Sequence, residues 1–190
     1  MKEIVFAGFG GQGVLTSGLI ISDIAVKKGL NATWIPSYGS AMRGGTANCT
    51  VKFGSDTIYN PSQEEPNILL AMNTPSFNKF VGMVAQGGTV IVNSDMVTYD
   101  KAKRPDLTYI EVPCSTMAKE INHSKGANII MTGVIVKLLG EFTDQEAIQG
   151  MNDMFERKGK GRFAEANTQA IKIGLAYDAT ATESVSEQAQ

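Results

Sequence analysis

The sequence predicts an α/β fold: a doubly wound, mostly parallel sheet with an added β-hairpin and a Rossmann-like opening. Three observations predict it. The run Ile4-Val5-Phe6-Ala7 enters glycines at Gly8, Gly10 and Gly13 and then apolar residues at helical spacing (Leu15/Leu19, Ile20/Ile24, Ile21/Ala25), which spells strand, tight turn and helix. Further short apolar runs, Asn67 to Met72, Thr89 to Asn93 and Tyr109 to Pro113, read as strands. Thr46 to Phe53 alternates and is rich in β-formers, and Gly54-Ser55-Asp56 is placed to turn it back into Thr57-Ile58-Tyr59 as a hairpin.

The opening turn needs glycine because the chain reverses within a few residues and its backbone must come close to a helix or a ligand. The first helix ends at Lys27-Lys28-Gly29, with positive charge in its last turn and a glycine stop. Ala32-Thr33-Trp34-Ile35 is the second strand, and it delivers a second glycine-rich loop, Pro36 to Gly45, carrying Ser37, Tyr38 and Arg43. Asn60 to Pro66 is a polar, proline-bounded loop in which Glu64-Glu65 faces solvent without a basic companion. Thr74 caps a helix with Pro75 in its first turn, and Phe77, Phe80, Val81 and Val84 mark its buried face. Ser115 to Glu120 reads as a capped helix start, followed by an apolar helix from Asn128 to about Leu139. Thr143-Asp144-Gln145-Glu146 caps a helix to about Glu156, and a last helix runs from about Phe163 to Tyr177. One domain over 1–177 and a mobile tail over 178–190, small or polar throughout, complete the reading.

Composition excludes several function classes. With 17 basic and 19 acidic residues spread along the chain and a net charge of −2, no polyanion-binding patch and no nucleic-acid partner are expected. No apolar run approaches the roughly 18 residues of a membrane span. The start, Met1-Lys2-Glu3, lacks the pattern of a signal peptide, so a cytoplasmic protein without a membrane partner is expected. Cys49 and Cys114 form no CxxC pair and read as buried thiols, leaving this chain no metal knuckle or iron–sulfur site of its own. Its 20 glycines exceed the usual share of about 7%, which implies frequent close backbone contacts.

Catalysis by this chain alone finds no support. His123, the one histidine, stands in a polar segment and reads as solvated, and no nucleophile with a base and an orienting group is evident. Trp34 and the methionines, Met72, Met83, Met117 and Met131 among them, read as core. The helix start after the glycine turn presents free N–H groups that suit an anion. A dinucleotide fingerprint, however, also needs an acidic residue about 20 positions on, where this chain has Pro36-Ser37-Tyr38. Arg43, between glycine runs, is able to fork onto phosphate or carboxylate, or to bridge an acidic neighbour. A binding role for the turn and a purely structural one both stay open on these residues.

Gly8-Phe9-Gly10-Gly11-Gln12-Gly13-Val14, then Pro36-Ser37-Tyr38-Gly39 and Arg43-Gly44-Gly45, strongly resemble the gamma subunit of the 2-oxoacid:ferredoxin oxidoreductases. Asn60-Pro61 and Pro66 to Ala71 fit its next segment, with Asn67 where that family usually has aspartate. The resemblance implies a subunit of a complex that decarboxylates a 2-oxoacid oxidatively with coenzyme A and passes two electrons to ferredoxin or a similar acceptor. It implies alpha and beta partners, with delta as a further candidate, that hold thiamine diphosphate, magnesium and iron–sulfur clusters. A short gamma chain without ferredoxin-like cysteines looks most like the 2-oxoglutarate type, ahead of pyruvate and branched-chain types. The candidate contacts for coenzyme A or the subunit interface are then Gly8, Gly10, Gly11, Gln12, Gly13, Ser37, Tyr38, Arg43, Gly44 and Gly45. A stand-alone nucleotide-binding or regulatory module is the rival reading.

Overall fold

A strand covered on both faces must be apolar at nearly every position. In the computed structural model of the chain, β1 (Lys2–Phe9), β4 (Ile68–Ala71) and β5 (Thr89–Asn93) meet that demand. The structure describes residues 1–39 and 45–178. With β2 (Asn31–Tyr38), β3 (Thr46–Gly54) and β6 (Thr108–Val112) they form a six-stranded sheet in the order β2-β3-β1-β4-β5-β6. β1, β4, β5 and β6 are parallel neighbours, and β3 alone runs the other way.

Alternation along the strands sorts the core into two layers. Ile4, Phe6, Leu70, Ile91 and Val112 point to one side, where they meet α1 (Val14–Lys27), α3 (Cys114–Glu120), α4 (Ala127–Leu139), α5 (Asp144–Arg157) and α6 (Ala164–Leu175). Val5, Ala7, Leu69, Val90 and Val92 point to the other, under Phe77 and Phe80 of α2 (Thr74–Phe80). The doubly wound reading therefore holds, as a mixed sheet with helices on both sides.

The hairpin is built differently from the expectation. β3 pairs with β2 over its length, Asn31 opposite Gly54 through Tyr38 opposite Ala47, and with β1 on its other side, while residues 57–59 form no strand. The reason is coverage: Ala47, Cys49, Val51 and Phe53 make a full apolar face, and insertion between two strands satisfies both edges of β3 while seating that face on α1. β2 is thus two strands from β1, about 10 Å at ordinary strand spacing.

The remaining corrections are local. Asn73, not Thr74, caps α2, its Oδ1 accepting the Ser76 N–H at 2.9 Å. Thr74 instead accepts the Thr98 N–H. α3 begins one residue before Ser115 and is capped across space, the Asp95 carboxylate accepting the Thr116 N–H at 2.8 Å. Glu64 is not without a base: it pairs with Lys52, a buried lysine on the polar face of β3 that also lies 3.5 Å from buried Glu3. His123 is half-buried, its Nε2 2.9 Å from Asn167 Oδ1. Met83 is 47% exposed rather than core, because α2 ends before it, and Trp34 is half-buried against the helical layer. The capping box at Thr143 and Glu146 is formed as expected. Most of the tail, 179–190, lies outside the described residues. Among the described residues no helix is long and apolar enough to cross a membrane.

Candidate functional site

Four residues, Gly10 to Gly13, carry the chain from β1 into α1. Gly11 and Gly13 take φ of +102° and +75°, the left-handed region where a side chain is strained. A Cβ on Gly13 would also meet the Asn128 carboxamide at 2.5 Å, so glycine lets α4 close on the turn. Asn128 then donates to the Gly13 carbonyl at 3.2 Å, and Ser17 donates to the Asn128 carbonyl at 3.1 Å.

Gln12 folds inward and locks the turn. Its Oε1 accepts the Phe9 N–H and an Asn73 amide hydrogen, each at 2.7 Å, and its Nε2 donates to the Met72 carbonyl at 3.2 Å. Gly8 makes room for it, since a Cβ there would lie 2.8 Å from Gln12 Oε1 and 2.9 Å from Val14. The Gly10 N–H donates to the Gly45 carbonyl at 2.8 Å and ties the two glycine-rich loops together.

What remains open is a cleft of about 280 Å³ between the turn, the first turn of α1, Tyr38 and residues 45–47. The backbone N–H groups of Gly11, Gly13, Val14, Leu15 and Thr16 have no partner among the described residues. No acidic side chain stands in the first turn of α1 to offset the positive end of its dipole. The arrangement can hold an anionic group against backbone N–H donors.

Of the sequence-predicted residues, Gly10, Gly11, Gly13, Tyr38 and Gly45 line this cleft. Gly8 and Gln12 stand behind it as supports. Ser37 lines a separate groove on the other face of β2. Arg43 and Gly44 lie outside the described residues. Sequence reasoning missed Asn73 and Asn128. Asn73 had a local signal, one residue ahead of Thr74-Pro75, whereas Asn128 reaches the turn from 115 positions away and had none.

The cysteines are not part of the site. Burial pushes the thiols of Cys49 and Cys114 up to about 12, so neither is a nucleophile near neutral pH. Native chain treated with iodoacetamide at pH 8 should leave both thiols unlabelled until it unfolds. Fast labelling of either, read by mass spectrometry, would contradict this packing. Among the described residues no group of three His, Cys, Asp or Glu converges as metal ligands would.

The pyruvate ferredoxin/flavodoxin oxidoreductase family matches residues 3–177. The ketoisovalerate oxidoreductase subunit VorA of Methanothermobacter marburgensis is 35% identical over 176 residues, which cover 90% of this chain and 35% of the relative. The 2-oxoglutarate synthase subunit KorC of the same organism is 30% identical over 178 residues, covering 91% of this chain and 94% of the relative. The chain thus spans about a third of the length of VorA and nearly all of KorC. Among solved structures, the gamma subunit of a keto/oxoacid ferredoxin oxidoreductase from Geobacter sulfurreducens has the same fold, with a TM-score of 0.73, 24% identity, and coverage of 92% of this chain and 96% of that one. With a match over almost its whole length, this chain belongs to the pyruvate ferredoxin/flavodoxin oxidoreductase family, as a chain of the gamma-subunit type.

Proposed function

We propose that this chain is the gamma component of a complex that converts 2-oxoglutarate, with coenzyme A, to succinyl-CoA and CO2, passing two electrons to ferredoxin or a similar acceptor. Its glycine cleft forms part of the coenzyme A side of the entrance. The observation that carries this is the row of N–H groups at the start of α1 that have no partner among the described residues, which suits a phosphate-bearing co-substrate. In this reading magnesium, iron–sulfur clusters and thiamine diphosphate are held by the partner subunits. There they supply decarboxylation and electron transfer, while this chain binds, orients and seals.

The topology weighs against the nucleotide-module rival. In dinucleotide-binding folds the second strand brings its carboxylate beside the glycine turn. Here β3 is interposed, and β2 ends in Ser37-Tyr38. Titrating the isolated chain with NAD, NADP, FAD and coenzyme A separates the two readings: micromolar binding of a dinucleotide would favour the rival.

Support for 2-oxoglutarate comes from the KorC subunits, which are 30% to 33% identical to this chain over 72% to 91% of its length. A branched-chain 2-oxoacid is the second reading, favoured by the higher identity to VorA. Comparing kcat/KM for 2-oxoglutarate, ketoisovalerate and pyruvate on one purified complex decides between them. In that complex Gln12→Leu, which strands the Phe9 N–H and the Met72 carbonyl, should raise the KM for coenzyme A about tenfold and leave the 2-oxoacid KM nearly unchanged. No change, or an equal rise in both, would remove the cleft from the coenzyme A path.

A further inference from the structure

Between α5 and α6 the chain runs Arg157-Lys158-Gly159-Lys160-Gly161-Arg162-Phe163, four cations in six positions with no acid among them, in a chain whose net charge is −2. The turn is fixed by its backbone. Gly159 takes φ of +67°, its N–H donates to the Glu156 carbonyl and the Lys160 N–H donates to the Phe155 carbonyl, each at 2.8 Å. The pairs Lys28–Glu146, Ile24–Gly150 and Asp23–Arg157 step back toward the start of α1 as they step forward along α5. The turn therefore lies at the end of the domain where α1 begins and the glycine cleft opens.

Its charges are left uncompensated. Arg157 pairs with Asp23 at 2.6 Å, whereas Lys158, Lys160 and Arg162 form no ion pair among the described residues. Partial burial of the Lys158 ammonium, and the charges of Lys160 and Arg157 beside it, lower its pKa from the usual lysine value. The end of α5 favours cations, but Lys160 and Arg162 stand ahead of α6, at the positive end of its dipole, where they are disfavoured. Arg162 lies over the Phe163 ring, 4.8 Å from its centroid, and Phe163 is 37% exposed.

We infer that this turn docks an acidic surface of a partner subunit: carboxylates face Lys158, Lys160 and Arg162, and an apolar side chain packs on Phe163. Three unneutralised cations held close together select an anion, whose arrival relieves their mutual repulsion. An exposed aromatic ring under an arginine selects a protein, because both side-chain types are enriched at protein interfaces. Exposed Glu156 and Glu165 flank the turn and repel a continuous polyanion, whereas a folded partner can set its carboxylates between them. The inference rests on the proposed role as a subunit, and it places a contact at the same end of the domain as the proposed entrance.

The test is zero-length crosslinking of the purified complex with a carbodiimide, which joins a lysine amine to a carboxylate as an amide and takes up the water as a urea. Crosslinks from Lys158 or Lys160 to Asp or Glu of a partner subunit are expected. Lys160→Glu with Arg162→Glu should weaken association with that subunit at least about tenfold at about 0.1 M salt. The same variant should not lower the Tm of the chain, since acids ahead of α6 suit its dipole. The neutral pair Lys158→Gln and Lys160→Gln should give a smaller loss in the same direction. Crosslinks confined to this chain or to a second copy of it, association unchanged by both variants, or loss of bound nucleic acid in place of a subunit would overturn the docking proposal and leave the subunit role standing. A chain that joins no partner at all would overturn both.

Discussion

Replacing Lys52 with alanine is expected to cost about 3 kcal/mol of stability, which for a domain of this size lowers Tm by about 6 to 12 °C. Lys52 is 4% exposed and Glu3 7%, so the variant strands a buried carboxylate. It also loosens the 60–66 loop, because the Lys52 ammonium donates to the Asn60 carbonyl at 3.0 Å and to Glu64, leaving the Glu64 N–H on Glu3 Oε1 to hold it. Lys52 holds the Glu64 carboxyl below its usual range, with Asn60 adding to the effect. A lowered carboxyl pKa contributes stability that is present above the unfolded value and lost as pH falls through the folded one, so the loop stays tied at neutral pH and loosens only in acid. The double variant Glu3→Gln with Lys52→Met should recover most of the loss, since buried ion pairs are often replaceable by apolar groups of similar volume. A single-variant loss below about 1 kcal/mol would mean that water reaches the pair.

Gly174→Ala should be nearly as damaging, at about 3 kcal/mol in thermal unfolding, the upper end of what overpacking costs. A Cβ there would overlap the Ile130 carbonyl oxygen and lie 2.9 Å from Gly133 Cα. A Cβ on Gly133 would in turn lie 2.8 Å from the Leu175 nitrogen. α4 and α6 therefore cross backbone to backbone, and a methyl group forces them apart. Gly82, which has open space around it, is the control and should tolerate alanine with little change. Equal effects at the two positions would refute the packing explanation.

Local signals in the sequence accounted for much of the fold. Strand, glycine turn and helix at 4–27, the capping box at Thr143 and the apolar strands at 68–71 and 89–93 each follow from neighbouring residues. The insertion of β3 between β2 and β1 was not legible, because a strand with one apolar face does not say which strands it pairs with. The same limit hid the Lys52–Glu64 pair: two charges 12 positions apart meet only once the loop folds back over the sheet. In the site, the glycines were legible from backbone demands. The inward turn of Gln12 depended on Asn73, which α2 brings to it from 61 positions away. The excess of glycine announced close backbone contacts without saying that Gly133 and Gly174 make one of them together.

The most direct measurement is anaerobic affinity purification of the chain from its native cells, with mass spectrometry of what accompanies it and an assay of dye reduction dependent on a 2-oxoacid and coenzyme A. The expected result is co-purification of alpha- and beta-type subunits with thiamine diphosphate and an activity that needs both substrates. A chain that comes down alone, or with unrelated proteins and no such activity, would contradict the account.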